Sequence, residues 1–155
     1  MARRDFDPAT FRADGRPATK AGLFDAATSH PWRGVVEGLA LGGQVTVLAY
    51  GTDTIGAGPR LHVHPYDETF IIIEGRARFF VGETTLDAGK GEVVSGPAGV
   101  PHRFENLGPG RLQTIDIHHS PKWIQTDLDE DQRPRGGATA APVPTPTESA
   151  PPPGT

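Results

Sequence analysis

The chain has 155 residues and carries 15 Lys+Arg against 19 Asp+Glu, a net charge of -4. That length holds one domain and one core; the mixed charge lacks the basic footprint of a nucleic-acid binder, and no apolar window is long enough to cross a membrane as a helix. With no cysteine, disulfide scaffolds and thiolate metal sites are excluded, so any metal must rest on nitrogen and oxygen ligands.

Residues 1–34 are weakly patterned and read as an N-terminal arm. The opening "MARRDFDPATF" has two arginines but no apolar run behind them. It does not read as a secretory signal, and with the missing cysteines it leads to the expectation of a cytoplasmic protein. "PATKAGLFDAAT", residues 17–28, fits one or two helical turns or an arm packed on a partner. His30 belongs to no constellation and reads as structural.

Residues 35–131 are different. Apolar runs of five to eight residues follow one another, each ended by Gly, Asp, Asn or Pro: "VVEGLAL", "QVTVLAY", "PRLHVH", "ETFIIIEG", "RARFFVG", "EVVSG", "HRFENL" and "RLQTIDIHH". They are rich in the β-branched and aromatic residues that suit a pleated surface. Their close spacing between turn residues is that of an all-β sandwich or barrel. A short C-terminal helix is expected at "SPKWIQTDL", with Ser120 as cap, Pro121 at the first position, and Ile124 and Leu128 on one face. Residues 132–155 are Pro-, Ala- and Thr-rich with no aromatic residue. Such a segment cannot bury enough surface to offset its ordering entropy and reads as a disordered tail.

The chemistry gathers at "GPRLHVHPYDETF", residues 58–70. Residues i and i+2 of a strand share a face, so His62 and His64 point the same way. Glu68 follows a Pro-Tyr-Asp turn and can swing back over both rings. Two imidazoles and a carboxylate suit a divalent first-row metal better than a hard ion such as calcium. His102, delivered by the turn "GPAGVP", is the natural fourth ligand. The plainer alternative, hydrogen-bonded or surface histidines, stays open on these residues alone.

The spacing resembles the cupin superfamily. Gly56, His62, His64, Glu68 and Gly75 fit its first motif, G-x5-H-x-H-x3-E-x6-G. Gly91, Pro97, Gly99, His102 and Asn106 fit its second, G-x5-P-x-G-x2-H-x3-N. The resemblance implies a double-stranded β-helix, the jelly-roll cupin barrel. It also implies one divalent transition metal (iron, manganese, zinc, nickel, cobalt or copper) bound by His62, His64, Glu68 and His102 inside the barrel mouth. Gly75 and Gly91 would occupy turns that need a positive φ, and Asn106 would bond backbone or serve as a turn residue.

Alternation from Glu68 and His102 puts Phe70, Ile72 and Phe104 inward as a substrate pocket, with Asp116 and His118 inward on the last strand and His119 outward. His118 and Tyr66 are the candidate catalytic residues. The leading expectation is a non-haem iron or manganese dioxygenase or other oxygenase acting on a small organic substrate. A Lewis-acid isomerase, cyclase or lyase is the alternative, and a metabolite-binding protein without catalysis a third. A homodimer is expected, built through residues 12–36 or through edge strands.

Overall fold

A computed structural model describes residues 2–24, 32–128 and 138–139. The arm holds one 3₁₀ turn, Pro8–Thr10, which Asp7 caps by accepting from the Ala9 N–H. Further along, Thr19 donates to the Leu41 carbonyl at 2.6 Å, and Arg16 bonds the Gly42 carbonyl. His30 and residues 25–28 of the expected helical turn lie outside the described residues.

The body is β1 (Gly34–Val36), a one-turn helix α1 (Gly38–Leu41), and then β2 (Thr46–Thr52), β3 (His62–Val63), β4 (Glu68–Glu74), β5 (Arg76–Val81), β6 (Thr84–Gly89), β7 (Val93–Gly96), β8 (His102–Asn106), β9 (Leu112–His118) and β10 (Thr126–Asp127). One sheet runs β1-β2-β9-β4-β7. The other runs β10-β3-β8-β5-β6 and ends on β11 (Ala138–Thr139). Sequence neighbours such as β2 and β3 sit in different sheets, the connectivity of a jelly roll. The all-β double-stranded barrel expected from the sequence is the fold observed.

Strict alternation builds the interior. Along β9, Leu112, Thr114, Asp116 and His118 are buried while Gln113, Ile115 and Ile117 face outward. Antiparallel partners share a face, so the register sets rows across the first sheet. His118 pairs with Thr46 and Glu68, Asp116 with Leu48 and Phe70, and Thr114 with Tyr50 and Ile72. Below the first row lies the core. Phe70, Phe79 and Phe104 pack with ring centroids 5.1 to 5.7 Å apart, joined by Ile72, Ala77, Val81, Ala88, Val94 and Leu112. Gly75 closes the turn between β4 and β5 at φ 80°, where a Cβ would stand 2.2 Å from the Arg111 carbonyl oxygen. No other residue fits there.

One expectation needs correction. "SPKWIQTDL" is not a helix: it runs through bends into β10, which pairs with β3. Tertiary bonds have taken the backbone groups a helix would use. Ser120 O accepts from Thr46 Oγ1, Pro121 O from the Leu39 N–H, and the Ile124 N–H donates to Tyr66. Ile124, expected to share a helix face with Leu128, is 47% exposed. The tail at 132–155 lies outside the described residues except for Ala138–Thr139, which pair in parallel with Thr84–Thr85.

Candidate metal centre

His62 leaves β3, and His64 follows it directly. Glu68 opens β4, and His102 opens β8 opposite His62 in register. The turn that delivers His102 is pinned to the first motif. The Gly99 N–H donates to His64 O at 2.8 Å, and the Ala98 N–H donates to Asp67 Oδ1 at 2.8 Å. Gly99 sits there at φ 74°. One donor atom from each of His62, His64, Glu68 and His102 lies within 4.8 Å of the others, and all four side chains are buried. The structure thus brings together the four side chains singled out by the two motifs.

The hydrogen bonds behind the rings test whether a cation fits. His62 Nδ1 lies 2.6 Å from Arg60 O, His64 Nδ1 2.6 Å from Ile124 O, and His102 Nδ1 2.9 Å from Val100 O. A carbonyl oxygen can only accept, so each Nδ1 carries the proton. In its neutral form a ring bonded in this way turns a bare Nε2 lone pair toward the centre. His102 Nε2 is 2.9 Å from Glu68 Oε2, and His64 Nε2 is 3.0 Å from the same oxygen. The latter lies outside hydrogen-bond geometry, so this buried nitrogen has no hydrogen-bond partner among the described residues. Burial, the largest cause, lowers His62 from 6.5 to about 4. Burial pushes the Glu68 acid upward. The rings of His102, His118 and His64 around it more than offset this and hold it well below the usual carboxylate range. Three imidazole nitrogens held from behind by carbonyls and one ionised carboxylate, converging within 4.8 Å, form a donor set that fits one divalent transition metal.

His118 obeys a different logic. Its Nε2 is 2.9 Å from Glu68 Oε1, and its Nδ1 is 2.9 Å from the Tyr66 hydroxyl. A neutral ring can satisfy both, donating Nε2–H to the carboxylate while Nδ1 accepts from Tyr66. The Tyr66 hydroxyl also accepts from the Ile124 N–H at 2.9 Å, and its one proton is shared between His118 Nδ1 and the Ile124 carbonyl, 3.0 Å away. The chain Tyr66–His118–Glu68 therefore orients the carboxylate and leaves Oε2 for the centre, the usual support behind a metal-ligating group. Tyr66 also stacks on His64, with ring centroids 5.1 Å apart and planes at 8°.

A cavity of about 640 Å³ opens beside the cluster. Its wall includes His62, Glu68, Phe70, Phe104, Asp116 and His118. Two expected site residues are placed elsewhere. Ile72 packs into the core, two positions deeper along β4 than Phe70, where Leu112 and Phe79 fill the barrel. Tyr66 stands behind His64 and lines no part of the cavity, so it acts on the site through His64 and His118. Asp116 is 5% exposed, and its Oδ1 has no hydrogen-bond partner among the described residues. Burial, and then the charge of Glu68, raise its acid well above 3.8. His119 points outward, its Nε2 bonded to Thr69 Oγ1. Asn106 is buried and ties loops together, donating to Gly110 O and accepting from the Gly108 N–H. Sequence reasoning missed Arg33, Tyr50, Arg60, Trp123 and Gln125 on the cavity wall. For Tyr50 a signal existed: it shares the parity of Thr46 and Leu48.

Comparison with known proteins agrees with this fold. An uncharacterized protein of Streptomyces coelicolor is 41% identical over 59 residues, which cover 38% of this chain and 55% of that protein. The chain thus spans about half the length of this curated relative. The oxalate decarboxylase of Bacillus subtilis, a protein with Mn(II) centres, superposes with a TM-score of 0.56 at 22% identity, over 65% of this chain and 29% of that one. A Klebsiella pneumoniae protein with a double-stranded β-helix domain superposes with a TM-score of 0.56 at 19% identity, over 70% of this chain and 92% of that one. Both likenesses concern the fold. The cupin domain family matches residues 40–118, half of the sequence, and the chain belongs to it.

Proposed function

We propose that the chain is a metal-dependent enzyme acting on a small organic molecule, an oxygenase of the non-haem iron or manganese type, with His62, His64, Glu68 and His102 holding the ion. The observation that carries this reading is the convergence of four buried donors: three rings whose Nδ1 atoms are held by carbonyls meet Glu68 with their donor atoms within 4.8 Å of one another. The bound ion supplies Lewis acidity and, for iron or manganese, a redox-active centre. The chain's own residues do the rest. His118 and Tyr66 hold Glu68, and Phe70 and Phe104 supply an apolar wall that excludes water beside the ligands.

Asp116 favours a second reading, a Lewis-acid isomerase, cyclase or lyase. A buried acid on the cavity wall, raised above its usual range and with Oδ1 open among the described residues, is suited to giving a proton to a substrate oxygen. Oxygen uptake in the presence of candidate substrates that scales with iron or manganese content supports the oxygenase. Turnover by zinc-loaded protein without oxygen rejects it in favour of the second reading. A homodimer paired through residues 12–36 or through edge strands belongs to the same proposal, and a monomeric mass by light scattering refutes that part.

A further inference from the structure

We propose that the cavity selects a small organic acid in its anionic form, the carboxylate paired with Arg33 and a second oxygen of the same molecule facing Asp116. This deepens, and rests on, the reading of the cavity as a substrate site.

Arg33 directly precedes β1. Gly34 pairs with Ala49, which sets Arg33 opposite Tyr50, a cavity-wall residue. Its guanidinium lies over the Tyr50 ring, 4.1 Å from the centroid, and its Nε donates to Gly51 O at 2.9 Å. Tyr50 is itself braced edge-on against Phe104, 5.2 Å away. The fork is therefore fixed in place on the wall before any ligand arrives. Side chains held in this way lose less entropy on binding.

Charge points the same way. Arg78, Arg103 and Arg111 each meet a carboxylate. Arg33 and Arg60, both on the cavity wall, meet none among the described residues. Glu68 is committed to the ring cluster. Asp116 sits one row further along the sheet, between Leu48 and Phe70, with one oxygen, Oδ1, that no described residue satisfies. Burial and the charge of Glu68 disfavour a second negative charge there. The wall thus offers two cations with no carboxylate partner among the described residues and one buried acid with an open oxygen. That set matches an anion carrying a further acceptor oxygen and rejects an amine. Leu48, Phe70 and Phe104 accommodate an apolar body between the polar points.

The test uses full-length protein, loaded with manganese and verified by elemental analysis, and titrated by calorimetry and ligand-observed NMR. Phenylacetate, hexanoate and phenylpyruvate are compared with their neutral amides. One charge-assisted pair predicts that the acids bind at least about tenfold tighter. Arg33→Gln should reduce the acids to the affinity of the amides. Asp116→Asn, which keeps a donor, should retain more phenylpyruvate binding than Asp116→Ala. Equal affinity for acids and amides, no binding of any acid, or a preference that survives Arg33→Gln overturns the proposal. A preference that survives Arg33→Gln but vanishes when manganese is stripped also overturns it, assigning the carboxylate to the metal. If the protein takes up no manganese, the metal reading fails by itself, and the acid-against-amide comparison on metal-free protein still tests Arg33.

Discussion

Metal-free protein should lose stability on mild acidification, and His62 should be a principal cause. Its ring is 5% exposed, and burial lowers it from 6.5 to about 4. The sign follows from proton uptake. Below 6.5 the unfolded chain takes a proton on this ring, whereas the folded chain refuses it until about 4. The stabilisation is therefore complete above 6.5 and drains away as pH falls toward 4. Integrated between pH 7.5 and 4.5, the loss is about 2.5 kcal/mol. Asp116 works in the opposite direction, since an acid raised above 3.8 makes the fold less stable as pH climbs. Glu68, held low, contributes stability that is lost only as pH drops below its usual 4.5. Both groups remain in His62→Gln, so the difference between the two proteins isolates the ring. Urea unfolding of chelator-treated wild type and His62→Gln, in steps across that range, measures it. Wild type should lose about 2.5 kcal/mol more than the variant. Parallel pH profiles would refute the reasoning.

Tyr66→Phe removes the hydroxyl that holds His118 and caps the Ile124 N–H. Metal affinity should fall about 10- to 100-fold with the fold intact, as competition with a chelating dye would show. Phe79→Ala empties the centre of the aromatic cluster, where Phe79 is 0% exposed. It should cost about 3–5 kcal/mol in urea unfolding, against less than about 1 kcal/mol for Val93→Ala on the 62% exposed edge position.

Much of the site was legible because antiparallel alternation propagates. Once Glu68 and His102 are taken as inward, Phe70 and Phe104 follow by parity, and on the last strand parity puts Asp116 and His118 on one face and His119 on the other. Parity gives the face and not the depth, so Ile72 was expected beside the substrate and lies in the core. The helix expected after Ser120 failed for a reason absent from local sequence. Its capping and periodic residues were present, but Thr46, Leu39 and Tyr66 reach in from elsewhere and claim the backbone. The same long-range bonds explain why the carbonyl of Ile124, 60 residues from His64, orients that ring. No motif marks such a residue, because only its main chain is used. Arg33 was passed over because its strand is three residues long, too short for alternation to declare a face.

The central claim is that one divalent ion sits among His62, His64, Glu68 and His102. Elemental analysis of wild type and His102→Ala, both purified without added metal and checked for fold by circular dichroism, tests it most directly. About one transition-metal ion per wild-type chain and almost none in the equally folded variant is the predicted result. A wild-type protein that arrives empty and stays empty after incubation with manganese, iron and zinc would contradict it.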